Sequence, residues 1–156
     1  IIICCDILNA ETQYIAFLLN IFPMINGRET FQKSERLCSR KIITGLFDTG
    51  NILYTPLFKV IWEIKPLKES VPAQVVFSVA KKSFRHAVKR NLLKRRMREA
   101  YRKNKHVLYD FLSAEKIQIA FMVIYRENEI RDYTAIAGSI HEMLEKLIVK
   151  IREKGN

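Results

Sequence analysis

Negative charge is scarce in this chain: 16 Asp and Glu stand against 27 Lys and Arg, leaving a formal net charge of +11 over 156 residues. A field of that sign draws in polyanions, so nucleic acid or an anionic membrane surface leads the partners to consider. A second shortage argues against the membrane. The apolar N-terminal stretch is broken by Asp6, Asn9, Glu11, Gln13 and Asn20 before any run reaches the roughly 20 residues a helical span needs. It also lacks the basic n-region and small-residue cleavage site of a signal peptide. Cysteine is limited to Cys4, Cys5 and Cys38. An adjacent pair without ligand spacing makes neither a disulfide framework nor a zinc site, and free thiols fit a reducing cytoplasm. His86, His106 and His141 are scattered. With no HExxH pair, no glycine-rich phosphate cradle and no nucleophile elbow, the sequence offers no catalytic or metal site of its own.

Helix breakers are also few, with 5 Gly and 4 Pro in all and none from Ala73 to Ala137. What is present is a 49% apolar composition dispersed among charges, the mark of one folded domain of ordinary size. Residues 1–30 stand apart as an N-terminal extension. Within it, residues 1–23 are either sequence upstream of the native domain, since Met24 precedes a polar stretch, or an amphipathic helix packed on it. Residues 31–152 form the domain and 153–156 a tail.

The domain reads as α+β. A short helix is expected from Ser39, capped by that hydroxyl, with Ile42, Ile43, Leu46 and Phe47 as its apolar stripe and Gly50 ending it in a left-handed conformation. Leu57 to Ile64 sets Phe58, Val60, Trp62 and Ile64 against Lys59, Ile61 and Glu63, the alternation of a half-buried strand. Ala73 to Ala80 is a second strand, expected to pair with the first as a hairpin across a connection containing Pro66 and Pro72. A long helix then runs from beyond Lys82 to about Leu112. Ile117 to Tyr125 is continuously apolar, as in a strand covered on both faces, and the order strand, long helix, strand favours parallel pairing around a crossover. A last helix behind an Asp132 cap carries Tyr133, Ile136, Ile140, Leu144, Leu147 and Ile151 at helical spacing.

The long helix holds the chemistry. Twelve of the 27 basic residues lie between Lys81 and Lys105, where Glu99 is the single acid. At about 100° per residue, Leu93, Met97, Ala100, Tyr101 and Leu108 fall in one sector, while Asn91, Lys94, Arg95, Arg98, Arg102 and Lys105 fall in another. A solvated helix stabilises itself with acids at i+4, but here Lys94–Arg98, Arg98–Arg102, Arg95–Arg98 and Arg102–Lys105 are like pairs. At roughly 0.2–0.5 kcal/mol each, they oppose folding by about 1–2 kcal/mol at low salt. A phosphate backbone turns that repulsion into attraction, and arginine's planar fork suits phosphate oxygens. A helix-turn-helix needs a helix where Ala73 to Ala80 reads as a strand, and a basic zipper needs heptads that are absent. A sheet bearing aromatics beside a basic helix suits single-stranded or irregular RNA.

The stretch FSVAKKSFRHAVKRNLLKRRMREAYRKNK, with Lys81, Lys82, Arg90, Asn91, Lys94, Arg95, Arg98 and Glu99 in order, resembles the basic motif of the protein component of bacterial ribonuclease P. The resemblance runs from about Phe31 to Ile151. It implies a small four-stranded sheet with helices in the order α-β-β-β-α-β-α, with a left-handed β-α-β crossover. It also implies a subunit that binds a catalytic RNA and the 5′ leader of precursor tRNA, with hydrolysis and Mg²⁺ left mainly to the RNA. On that reading Arg90, Asn91, Lys94, Arg95, Arg98 and Arg102 meet the catalytic RNA, and Lys81, Lys82 and Arg85 meet adjoining phosphates. Asn91, the neutral member, suits a directional hydrogen bond or a metal-bound water, or is a plain surface residue. Phe47 and Phe58 match aromatic leader contacts or are core. Two departures stand out: Leu92 where many relatives have Arg, and Ile43 and Ile61 where relatives have rings. The alternatives are a general RNA-binding or ribosome-associated module and, more distantly, a nuclease that needs no RNA.

Overall fold

The computed structural model describes residues 30–155; the two readings of residues 1–23 lie outside them. After a 3₁₀ turn at Lys33–Glu35, the elements are α1 (Arg40–Thr49), β1 (Asn51–Tyr54), β2 (Phe58–Ile64), β3 (Ala73–Val79), α2 (Ala87–Ala114), β4 (Ile119–Tyr125) and α3 (Tyr133–Gly155). This is the expected α+β order. The last helix extends through Gly155 and so takes in most of the segment set apart as a tail.

The four strands form one sheet in the order β1-β2-β4-β3. β4 is the strand whose side chains are apolar on both faces, and it occupies an interior position. It pairs parallel with β3, from Ala73 opposite Ile119 to Val79 opposite Tyr125, as the crossover argument requires. On its other side it pairs antiparallel with β2, from Phe58 opposite Tyr125 to Ile64 opposite Ile119. The expected hairpin between β2 and β3 is therefore corrected: β4 lies between them. A strand apolar on both faces is best placed where neighbours satisfy both of its edges. The β2–β3 connection passes the start of β4 and is held there by Gln118. The Leu67 amide donates to Gln118 Oε1 (2.8 Å), and Gln118 Nε2 donates to the Val71 carbonyl (2.9 Å).

One face of the sheet is covered by α2 and α3. Phe58, Val60, Trp62, Val75, Phe77, Phe121 and Val123 meet Leu93, Met97, Ala100, Tyr101 and Leu108 of α2 and the Ile136–Ile151 stripe of α3. Tyr101 sits among rings, with centroids 5.6 Å from Phe77 and 6.0 Å from Phe121. The other face holds a smaller cluster, in which Leu46, Ile42 and Ile43 of α1 pack with Ile61, Ala120 and Met122. Across that same face the register aligns Tyr54, Lys59, Ile124 and Ser78 in one row. None of these four is fully buried.

Two helix-end expectations need correction. Ser39 occupies the N-cap position of α1, but its side chain makes no capping hydrogen bond. Gly50 ends α1 with φ −69° and ψ 144°, an extended conformation open to any residue. What requires glycine there is proximity: a Cβ would lie 2.3 Å from the Leu46 carbonyl oxygen and 2.6 Å from Ile61 Cγ2. The Asp132 cap does form, with the Ala135 amide donating to Asp132 Oδ1 at 3.0 Å.

Candidate nucleic-acid interface

The two sectors read from α2 separate in the structure. Leu93, Met97, Ala100, Tyr101 and Leu108 are wholly buried, while Asn91, Arg95 and Arg98 are exposed and Lys94 and Arg102 half-buried. Lys81, Lys82 and Arg85 are exposed on the connection leading from β3 into α2. The cationic positions thus continue from that connection along the solvent side of the helix. Arg90 differs from the rest. Its Nη1 donates to the carbonyls of Phe84 (2.8 Å) and Arg85 (2.7 Å), tying down the connection on which Arg85 stands. Leu92, next to Asn91 on the helix, is half-buried.

The repulsion inferred for the stripe is lower at its C-terminal end. Glu99 receives two hydrogen bonds from Arg102, at 2.9 and 2.7 Å, and lies 4.0 Å from Lys103 Nζ. The Arg102 guanidinium, through those bonds first, lowers the pKa of the Glu99 carboxyl. Lys105 Nζ pairs with Glu35, a buried carboxylate from the 3₁₀ turn. Glu35 also accepts from the Gln32 amide at 2.8 Å. Helical spacing could not reveal this partner, because Glu35 is remote in sequence. Arg95 and Arg98 form no ion pair among the described residues.

The structure separates the two aromatic candidates. Phe47 is 59% exposed, whereas Phe58 is 0% exposed and packs edge-on against Tyr125 with centroids 6.0 Å apart. Phe58 is thus a core residue with no face to offer a ligand, because its strand alternation turns it toward α2 and α3. Trp62, at 2%, is core as well. Sequence reasoning passed over Tyr54, whose ring is 57% exposed on the partly open sheet face. Lys59 Nζ lies 5.8 Å and Arg126 Cζ 5.2 Å from its centroid. The alternation of β1 is the signal that could have found it. Also missed was Arg36, which lines a concavity with Phe31, Arg95, Arg98 and Arg102.

Among the described residues, no three His, Cys, Asp or Glu side chains gather to hold a metal ion. Nor is any helix there long and apolar enough to cross a membrane.

Comparison with known proteins accords with this geometry. Residues 31–148 match the family model for ribonuclease P. The chain is 38% identical over 117 residues to the ribonuclease P protein component of Porphyromonas gingivalis, covering 74% of this chain and 84% of that one. It is 30% identical over 128 residues to the protein of the same description from Chlorobium phaeobacteroides, covering 76% and 88%. Among solved structures, the ribonuclease P protein of Thermotoga maritima superposes with a TM-score of 0.58 at 25% identity, covering 72% of this chain and 96% of that one. The Staphylococcus aureus protein, at 22% identity and a TM-score of 0.53, covering 74% and 95%, shares the fold. By the family match and by these relatives, the chain belongs to the ribonuclease P protein family.

Proposed function

We propose that this protein is the accessory subunit of a cytoplasmic ribonuclease P ribonucleoprotein, binding its catalytic RNA and the 5′ leader of precursor tRNA so that the leader is removed endonucleolytically. The observation that carries this reading is the division of α2 into a buried apolar sector and an exposed cationic one, extended by Lys81, Lys82 and Arg85. Arg95, Arg98, Lys94 and Asn91 are the contacts proposed for the catalytic RNA, with Arg102 beside them. Arg90 acts in part by fixing the connection that presents Arg85. Phe47, with Tyr54 as a stacking surface, is proposed to face the leader.

On this reading the protein supplies charge and position, and the RNA performs the hydrolysis. Mg²⁺ is proposed to be held mainly by the RNA, whose phosphates are hard oxygen ligands.

Reconstitution tests the proposal. Precursor tRNA incubated with protein and the family's RNA subunit should be cut at the leader junction, with the protein increasing the rate at low Mg²⁺. Cleavage by the protein alone would overturn the division of labour. RNA binding without any effect on cleavage would identify a general RNA-binding module instead.

A further inference from the structure

The concavity between the segment ahead of α1 and the flank of α2 adds a cation from outside the helix to those of the stripe. Arg36, Arg95, Arg98 and Arg102 line it, with Glu99 the one acid and Phe31 beside them. Glu99 is already engaged by Arg102. Arg96 also lines the recess and donates to the Arg131 carbonyl. Arg36, Arg95, Arg96 and Arg98 make no ion pair among the described residues, so four guanidinium groups share a recess with no carboxylate assigned to them.

Arg36 is also held in place from two sides. Its backbone bridges to Val75 on the outer edge of β3, and the next amide, Leu37, donates to the Val75 carbonyl at 3.0 Å. Its guanidinium carbon stands 5.5 Å from the centroid of Phe31. That ring is fixed in turn, edge-on to Phe77 and Tyr101 at 6.2 and 5.8 Å. A side chain so positioned loses little further freedom when it binds. Guanidinium forks converging on one recess fit the non-bridging oxygens of a phosphodiester.

We propose that Arg36 is an RNA-binding residue, which with Arg95 and Arg98 forms a seat for a backbone phosphate of the RNA that covers α2. The inference rests on the reading that this side of α2 faces RNA. It extends the interface off the helix and onto the edge of the sheet. Either the RNA subunit or precursor tRNA can supply the phosphate, and the test separates them.

Arg36→Met keeps an unbranched stem over Phe31 and removes the charge. Binding of the full chain to the RNA subunit, and separately of the reconstituted holoenzyme to precursor tRNA, is measured across a salt series. With Arg36→Met the slope of log K against log salt should fall by about 0.7–0.9 on whichever RNA supplies the phosphate, the change for one lost contact. Arg36→Lys should restore the slope while leaving binding weaker than in the parent. A parental slope on both RNAs with Arg36→Met, alongside a reduced slope with Arg95→Met, overturns the assignment of Arg36 alone. Parental slopes with both Arg95→Met and Arg98→Met would instead remove the reading of the whole stripe. Because a loss of folding alters the active fraction rather than the slope, a merely structural Arg36 leaves the slope in place.

Discussion

Phe47 and Phe58 show what a single residue's surroundings decide. Both are aromatic and flank the β1 strand in sequence, yet one is mostly exposed and the other sealed beneath α2 and α3. Phe58→Ala should therefore cost about 3–5 kcal/mol of folding stability through the cavity it leaves. Phe47→Ala should shift stability by no more than about 0.5 kcal/mol while weakening the capture of precursor tRNA that carries a leader. Urea unfolding and binding of leader-bearing against leaderless tRNA check the pair. Equal stability losses would place both rings in the core. Isoleucine at 43 and 61 is explained by the same packing, since both side chains contribute to the small cluster under α1.

At the scale of elements, α1 and α2 are terminated and anchored by different means. Helix α1 turns directly into β1 through Gly50, where the chain passes so near Leu46 and Ile61 that no side chain fits. Gly50→Ala is expected to destabilise by about 1–3 kcal/mol as the neighbours shift, a loss visible in the thermal midpoint. If Gly50→Ala melts with the parent, the close approach is relaxed in solution. Helix α2 begins without a side-chain cap at His86, and the loop ahead of it is tied instead by Arg90. A residue that sequence alone assigns to RNA thus also has a structural task. The sectors of α2 were legible because every residue of a helix advances by the same angle. The place of β4 between β2 and β3 was not, because an apolar run shows that a strand is buried without naming its neighbours.

For the whole molecule, the basic side is joined to the rest of the domain by a buried ion pair. Glu35 and Lys105 connect the turn ahead of α1 with the middle of α2, and both side chains are largely shielded from water. Glu35→Gln removes the charge-assisted hydrogen bond while Lys105 keeps the Tyr109 ring 5.1 Å from its Nζ, so the change should cost about 1.5–3 kcal/mol. Denaturant unfolding at neutral pH would show it, and a loss below half a kcal/mol would mean that water reaches the pair. Losing the pair should also loosen the segment that carries Phe31 and Arg36 against α2.

The sequence by itself determined the charge of this protein, its helix-forming stretch without breakers and the division of that helix into an apolar and a cationic face. These follow from composition and from the fixed angular step of the helical backbone. The tertiary structure decided which strand lies beside which, that Phe58 is interior and Phe47 is not, that Lys105 is paired with Glu35, and that Arg36 joins Arg95 and Arg98. Each of those outcomes depends on how faces from distant parts of the chain pack together. Periodicity shows which side of an element is buried, but only packing brings a remote residue against it.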